Sequence, residues 1–268
     1  MFSRSIPFFI SIILAVCIFT GCSLNKEQAA TNNSPAARTE LIISAAASLT
    51  DALKEIQKAY EGNHTNIKLN FNFGASGTLA QQIIQGAPVD LFLSASTVHM
   101  KSLVDQQFID ATHQRNLLMN ELVVIIPADG KVTVHKNEDL AKEEIKHVAV
   151  GIPETVPAGT YAKEALIHAN MWDSLQSRIV QGKDVRQVLT YVATGNAEAG
   201  FVYKTDALTS KKVTIAFHVN PQTYTPIEYP VGIVKATKHS KEALDFYTYL
   251  RSEEAQAIFV RFGFSIAE

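Results

Sequence analysis

The residues best suited to chemistry in this chain are small donors placed where a strand gives way to a helix. Leu41–Asp51 (LIISAAASLTD) is a short apolar run that ends in small residues and opens onto a helix start. First-turn amides beside a serine hydroxyl form a natural anion site. The arrangement recurs at Asn70–Ile83 (NFNFGASGTLAQQI), Ile152–Leu166 (IPETVPAGTYAKEAL) and Gly182–Val192 (GKDVRQVLTYV). Four such places predict one polydentate oxyanion site rather than a catalytic centre.

Each candidate has a bland reading beside the functional one. Ser48…Asp51 fits the S-x-x-D capping box, so Ser48 could simply satisfy its own helix. Alternatively its hydroxyl faces a ligand beyond the carboxyl end of the strand, where open α/β folds bind. Ser76, bracketed by Gly74 and Gly77, is either a turn residue or a second hydroxyl donor. Ala158, after Pro157, can offer nothing but its amide, and so can Val185 after Asp184. The Asp184 carboxylate would sit badly beside a dianion, so it is expected to cap its own helix and point sideways. Tyr203 ends the strand AGFVY, either packed there or donating its phenol into a cleft.

Other groups read as structural. Lys163 and Arg186 lie near proposed helix starts and are expected to be solvated surface cations. Asp90 is expected to fix the turn ahead of a strand. The eight histidines have no metal-ligand spacing, and neither a G-x-S-x-G elbow nor a P-loop occurs. A hydrolase using Ser48 or Ser76 as nucleophile would need a base that the sequence does not place nearby.

The elements that must position these donors follow from periodicity. The first half reads as strand Glu40–Ser44, helix Ser48–Tyr60, strand Ile67–Phe71, helix Thr78–Gln85, strand Val89–Leu93 and helix Val98–Gln106. Leu49, Leu53, Ile56 and Tyr60 share one helical face. Strands follow at Glu121–Ile126, Val148–Ile152, Ala199–Tyr203, Val213–Phe217 and Glu228–Val234. Helices are expected from about Gly159 to Ala169, over Asp184–Thr194, near Lys241–Leu250 and over Glu253–Arg261. Pro230 favours an edge or an interlobe crossing for its strand. This is an α/β chain with mixed, mostly parallel sheets. The expected organisation is lobe 1 at 40–119 plus 229–268, lobe 2 at 120–228, and a ligand cleft between them that closes by hinge motion.

The N-terminus and composition bound the setting. Arg4 precedes an apolar run from Ile6 to Phe19 that is short for a bilayer span and placed as an export signal. Thr20-Gly21-Cys22 is similar to a lipobox, so residues 1–22 read as a lipoprotein signal with Cys22 acylated. Residues 23–39 read as a flexible tether without aromatics. Both cysteines, Cys17 and Cys22, fall in the export segment, which excludes disulfides from the globule. The chain carries 24 Lys+Arg against 26 Asp+Glu, a net −2 with no basic run, which argues against nucleic acid.

The strings AAASLTDALKEI, FGASGTLAQQIIQGAPVDLFLSAS, VPAGTYAKEAL, DVRQVLTYV, GFVYKTDA and FVRFGF resemble the periplasmic molybdate-binding proteins of ABC transporters. The likeness runs in order through residues 40–268. It implies the two-lobed type II binding-protein fold. It also implies a tetrahedral oxyanion held by the hydroxyls of Ser48, Ser76 and Tyr203 and the amides of Ala158 and Val185. Ala75 and Gly77 depart from the serines common there, which would remove an accessory hydroxyl. The ligand implied is molybdate or tungstate, with molybdenum or tungsten present as the bound oxyanion and no cofactor. The implied partners are a membrane permease and its ATPase, served by a monomer anchored outside the cell membrane. The alternative is a receptor of the same fold for sulfate, phosphate or chelated iron, the last of which would want a tyrosine pair or carboxylates.

Overall fold

The computed structural model describes residues 38–267. The export segment with Cys22, and the tether up to residue 37, lie outside the described residues. The chain begins with β1 (Thr39–Ala46), α1 (Thr50–Asn63), β2 (Ile67–Gly74), α2 (Ser76–Ile84), β3 (Leu91–Leu93), α3 (Thr97–Asp105) and β4 (Ile109–Met119). It crosses at Asn120 and Glu121 into β5 (Leu122–Pro127), β6 (Val148–Gly151), α4 (Pro157–His168), α5 (Trp172–Leu175), β7 (Ile179–Gly182), α6 (Val185–Ala193), β8 (Ala199–Tyr203), α7 (Lys204–Ala207) and β9 (Val213–His218). It then returns through β10 (Glu228–Val234), α8 (Ser240–Tyr249), α9 (Glu253–Arg261) and β11 (Ser265–Ile266).

Two mixed sheets result, one per lobe, with a cleft between. Lobe 1 has the order β11-β4-β10-β3-β1-β2 and lobe 2 the order β7-β6-β8-β5-β9. In the first, β1, β2, β3 and β4 run one way against β10 and β11. In the second, β6, β7, β8 and β9 run against β5. This is the two-lobed α/β architecture of type II binding proteins.

Period-two alternation explains how β1 holds two layers together. Leu41, Ile43 and Ala45 belong to the same core as Leu53, Ile56 and Tyr60 of α1 and Phe246 and Phe259 of the C-terminal helices. Beyond the other face lie Leu79, Ile83, Phe92, Met100 and Leu103. Each fully buried aliphatic or phenyl group contributes roughly 1.5–3 kcal/mol. The cores anchor β1 and α2, so the turns that follow β1 and β2 are held in place.

Three features differ from the sequence expectations. β4 and β7 were not anticipated: β4 exposes much of IDATHQRNLLM and is held by ladders to β10 and β11, so it carries no apolar periodicity. β10 is no edge strand but lies between β3 and β4. A register shift between Tyr229 and Pro230 accommodates the missing N–H, and the Pro230 carbonyl accepts from Ser94 N at 3.0 Å. The helix expected at Ser48 begins as a 3-10 turn over Ala47–Leu49 before α1 proper.

Candidate functional site

The turn after β1 buries Ser48 to 3 % exposure. Its side chain makes no capping bond to α1, so the capping-box reading fails. Instead Ser48 Oγ lies 2.9 Å from the phenolic oxygen of Tyr229. Asn120 Nδ2 donates to that same phenolic oxygen at 3.2 Å and to Thr205 Oγ1 at 2.9 Å. Asn120 Oδ1 accepts from Glu121 N, which orients the amide. Asn120 donates to Tyr229, so a phenol that passes its own proton to Ser48 leaves the serine proton free for a ligand.

Ser76 opens α2 and is fully buried. Its Oγ accepts from Ala95 N at 2.9 Å, so its acceptor side is occupied and its proton can be given elsewhere. The next residue explains the departure from serine at position 77. Gly77 N donates to Thr155 O across the cleft at 3.0 Å. A Cβ there would lie 2.8 Å from that carbonyl oxygen, closer than atoms pack.

Lobe 2 contributes differently. Pro157 occupies the first turn of α4 without an N–H, so Ala158 carries the first amide proton of that helix. Val185 opens α6, and amides in a first turn have no intrahelical acceptor. Asp184 accepts from Gln187 N at 2.8 Å, so its carboxylate caps its own helix. Tyr203 ends β8 at 1 % exposure, and its hydroxyl has no hydrogen-bond partner among the described residues. Burial pushes the Tyr203 phenol well above the ordinary tyrosine range, with nearby phenols adding to the effect. It therefore remains a protonated donor at physiological pH.

The five sequence-derived residues, Ser48, Ser76, Ala158, Val185 and Tyr203, line one small cavity. The rest of its wall is alanine, glycine, valine and proline, with no charged side chain or imidazole. Such a wall offers hydrogen-bond donors and helix N-termini.

Two residues took other places than expected. Arg186 is no solvated cation: its side chain is 25 % exposed and lies 2.7 Å from both Asp51 and Asp206. Lys163 is half-buried, with its ammonium over the Trp172 ring at 5.3 Å. Asp90 is structural as expected, its carboxylate accepting from Ile42 N and from Thr237 Oγ1. Tyr229 and Asn120 escaped sequence reasoning. The available signal was their place beside the two expected crossovers.

Comparison with known proteins gives concordant results. Residues 41–265 match the family model of bacterial extracellular solute-binding proteins. A putative ABC transporter substrate-binding lipoprotein of Bacillus subtilis, YvgL, is 49 % identical over 96 % of either chain. The molybdate-binding protein ModA of Haemophilus influenzae is 38 % identical, covering 86 % of this chain and 91 % of its own. Among solved structures, the substrate-binding domain of a putative molybdenum ABC transporter from Clostridium difficile superposes with a TM-score of 0.66. It is 43 % identical and covers 85 % of this chain and 99 % of its own.

Proposed function

The chain belongs to the bacterial extracellular solute-binding proteins, and from that membership we propose that its cavity captures molybdate for delivery to an ABC transporter. It is a binding protein rather than an enzyme. Tungstate, which differs little in size and carries the same charge, is a second ligand of the same site. The Ser48, Ser76 and Tyr203 hydroxyls and the Ala158 and Val185 amides are the donors. The lobes at 40–119 plus 229–268 and at 120–228 are the bodies that close on the ion. Cys22 is the lipid attachment, supported by its lipobox and by the lipoprotein relative. A membrane permease with its ATPase receives the ion.

One observation carries this reading: the cavity wall gathers donors and no charged group. Molybdate and tungstate at neutral pH carry no proton and accept hydrogen bonds from every side. Hydrogenphosphate brings a proton that would find no partner, at a cost of about 1–3 kcal/mol. Sulfate is proton-free but smaller, so a rigid donor set spaced for molybdate leaves some of its bonds long. Each converging helix start carries about half a positive charge. Charge-assisted hydrogen bonds contribute about 1.5–3 kcal/mol each, so five of them supply strong binding without a counter-cation.

Calorimetric titration of the detergent-solubilised full-length protein tests the proposal. Molybdate and tungstate should release heat with one ion per chain, and excess sulfate or phosphate should compete poorly. Absence of heat with both metal oxyanions, or equal competition by sulfate, would overturn it.

A further inference from the structure

Arg186 occupies a position that oxyanion binding by itself does not explain. It is the second residue of α6, directly after Val185, yet it is not part of the cavity wall. Its guanidinium joins the two lobes. On its own side, Nε lies 2.7 Å from Asp206 Oδ1, and Nη1 donates to Thr209 Oγ1 at 3.2 Å. Asp206 is fully buried in α7, three residues after Tyr203. On the other side, Nη2 reaches Asp51 in the first turn of α1 at 2.7 Å and approaches the Ser48 carbonyl at 3.5 Å.

We propose that Arg186 is a positioning residue that latches lobe 2 onto lobe 1 through Asp51 and so prolongs the closed, oxyanion-holding state. The inference rests on the binding reading given above. A buried carboxylate is costly unless paired, and here it holds one edge of the guanidinium within lobe 2. The other edge is thereby presented to Asp51 before the lobes meet. Opening separates Arg186 from Asp51 and leaves Arg186 with Asp206. Because Asp51 and Asp206 together outweigh the single cation, the trio adds no net positive charge near the ion. The role is therefore mechanical closure rather than charge neutralisation. The two roles predict opposite results when a carboxylate is removed.

Two contacts elsewhere around the cavity report closure independently of Arg186. Gly77 N donates to Thr155 O at 3.0 Å, and the Tyr161 hydroxyl donates to Ala95 O at 3.2 Å. The test uses the full-length protein in detergent with Asp51→Asn, which leaves Asp206 paired, and Asp51→Glu as the conservative variant. Molybdate dissociation is followed by displacement with tungstate, and amide hydrogen exchange is followed at Gly77. Asp51→Asn should bind about fivefold more weakly, equivalent to about 1 kcal/mol, mainly through faster dissociation. Its Gly77 amide should exchange faster without ligand, and Asp51→Glu should restore most of both effects. Unchanged affinity and exchange would overturn the latch, and tighter binding would do so by assigning Arg186 a charge role. Should the wild-type protein bind no oxyanion, the binding reading falls. The latch is then decided by Gly77 exchange alone, where equal rates in wild type and Asp51→Asn overturn it.

Discussion

Lobe 1 meets the cavity with side chains, whereas lobe 2 meets it largely with backbone. Ser48 and Ser76 each hold a hydroxyl that could rotate, and each is steadied by a partner on its oxygen, Tyr229 or the Ala95 amide. Ala158 and Val185 need no such partner, because the helix start fixes the direction of the amide. Tyr203 is the exception in lobe 2, with a buried hydroxyl that has no partner among the described residues. The proposed donor set divides its sensitivity accordingly. Lobe 1 is vulnerable to loss of side chains and lobe 2 to distortion of helix ends.

The comparison can be broken most forcefully where the lobes touch. Gly77→Val places a Cβ against the Thr155 carbonyl and should keep the halves apart. Overpacking of this kind costs about 1–3 kcal/mol, and most of it should fall on the closed complex, because the contact made within lobe 1, with the His99 ring at 3.0 Å, is to a side chain that can shift. Titration calorimetry should show molybdate affinity down by about 10–100-fold with thermal unfolding little changed. Normal affinity would mean that closure does not bring residue 77 against lobe 2.

Tyr203→Phe sharpens the contrast between donor and packing roles. It removes a hydroxyl that has no partner among the described residues while keeping the buried ring, so the ligand-free Tm should hold or rise. Molybdate binding should weaken by about 1–3 kcal/mol in the same titration. Unchanged affinity would reduce Tyr203 to a packed strand residue.

A third test concerns the ion pair private to lobe 2. Burial pushes the Asp206 carboxyl up to about 6, against the partial opposition of Arg186. The native state then holds this proton more tightly than the unfolded chain does. Its contribution to stability is present at low pH and is lost as pH rises from about 4 to about 6. The Tm of wild type relative to Asp206→Asn should therefore fall across that window. A flat difference would show Asp206 ionised throughout.

The smallest effect on binding is expected at Val185→Ala. The amide remains, so molybdate affinity should change by less than about 0.5 kcal/mol. Stability should drop somewhat more, because the Val185 side chain is buried. A large loss of affinity here would mean that the side chain, and not the helix start, sets the donor.

Much of the fold was legible because its signals are local. The stripe Leu49, Leu53, Ile56 and Tyr60 reads from spacing and is buried as expected. AGFVY reads as a strand and is one. β4 was not legible because a strand sustained by ladders on both sides leaves no hydrophobic period. Pro230 misled in the same way, since a bulge removes the conflict that a proline poses in a central strand.

The order of residues by itself pointed to the groups proposed as donors: hydroxyls and amides at four helix starts, with export ahead of them. Those properties live within a few residues and depend on backbone geometry near at hand. The tertiary structure alone decided where each proton and charge is directed. Ser48 meets Tyr229 from 181 positions away, and Arg186 reaches Asp51 across the cleft. Hydrogen bonds and ion pairs act over a few ångströms of space, whatever the separation along the chain. A serine's role therefore depends on the neighbour that folding brings to it.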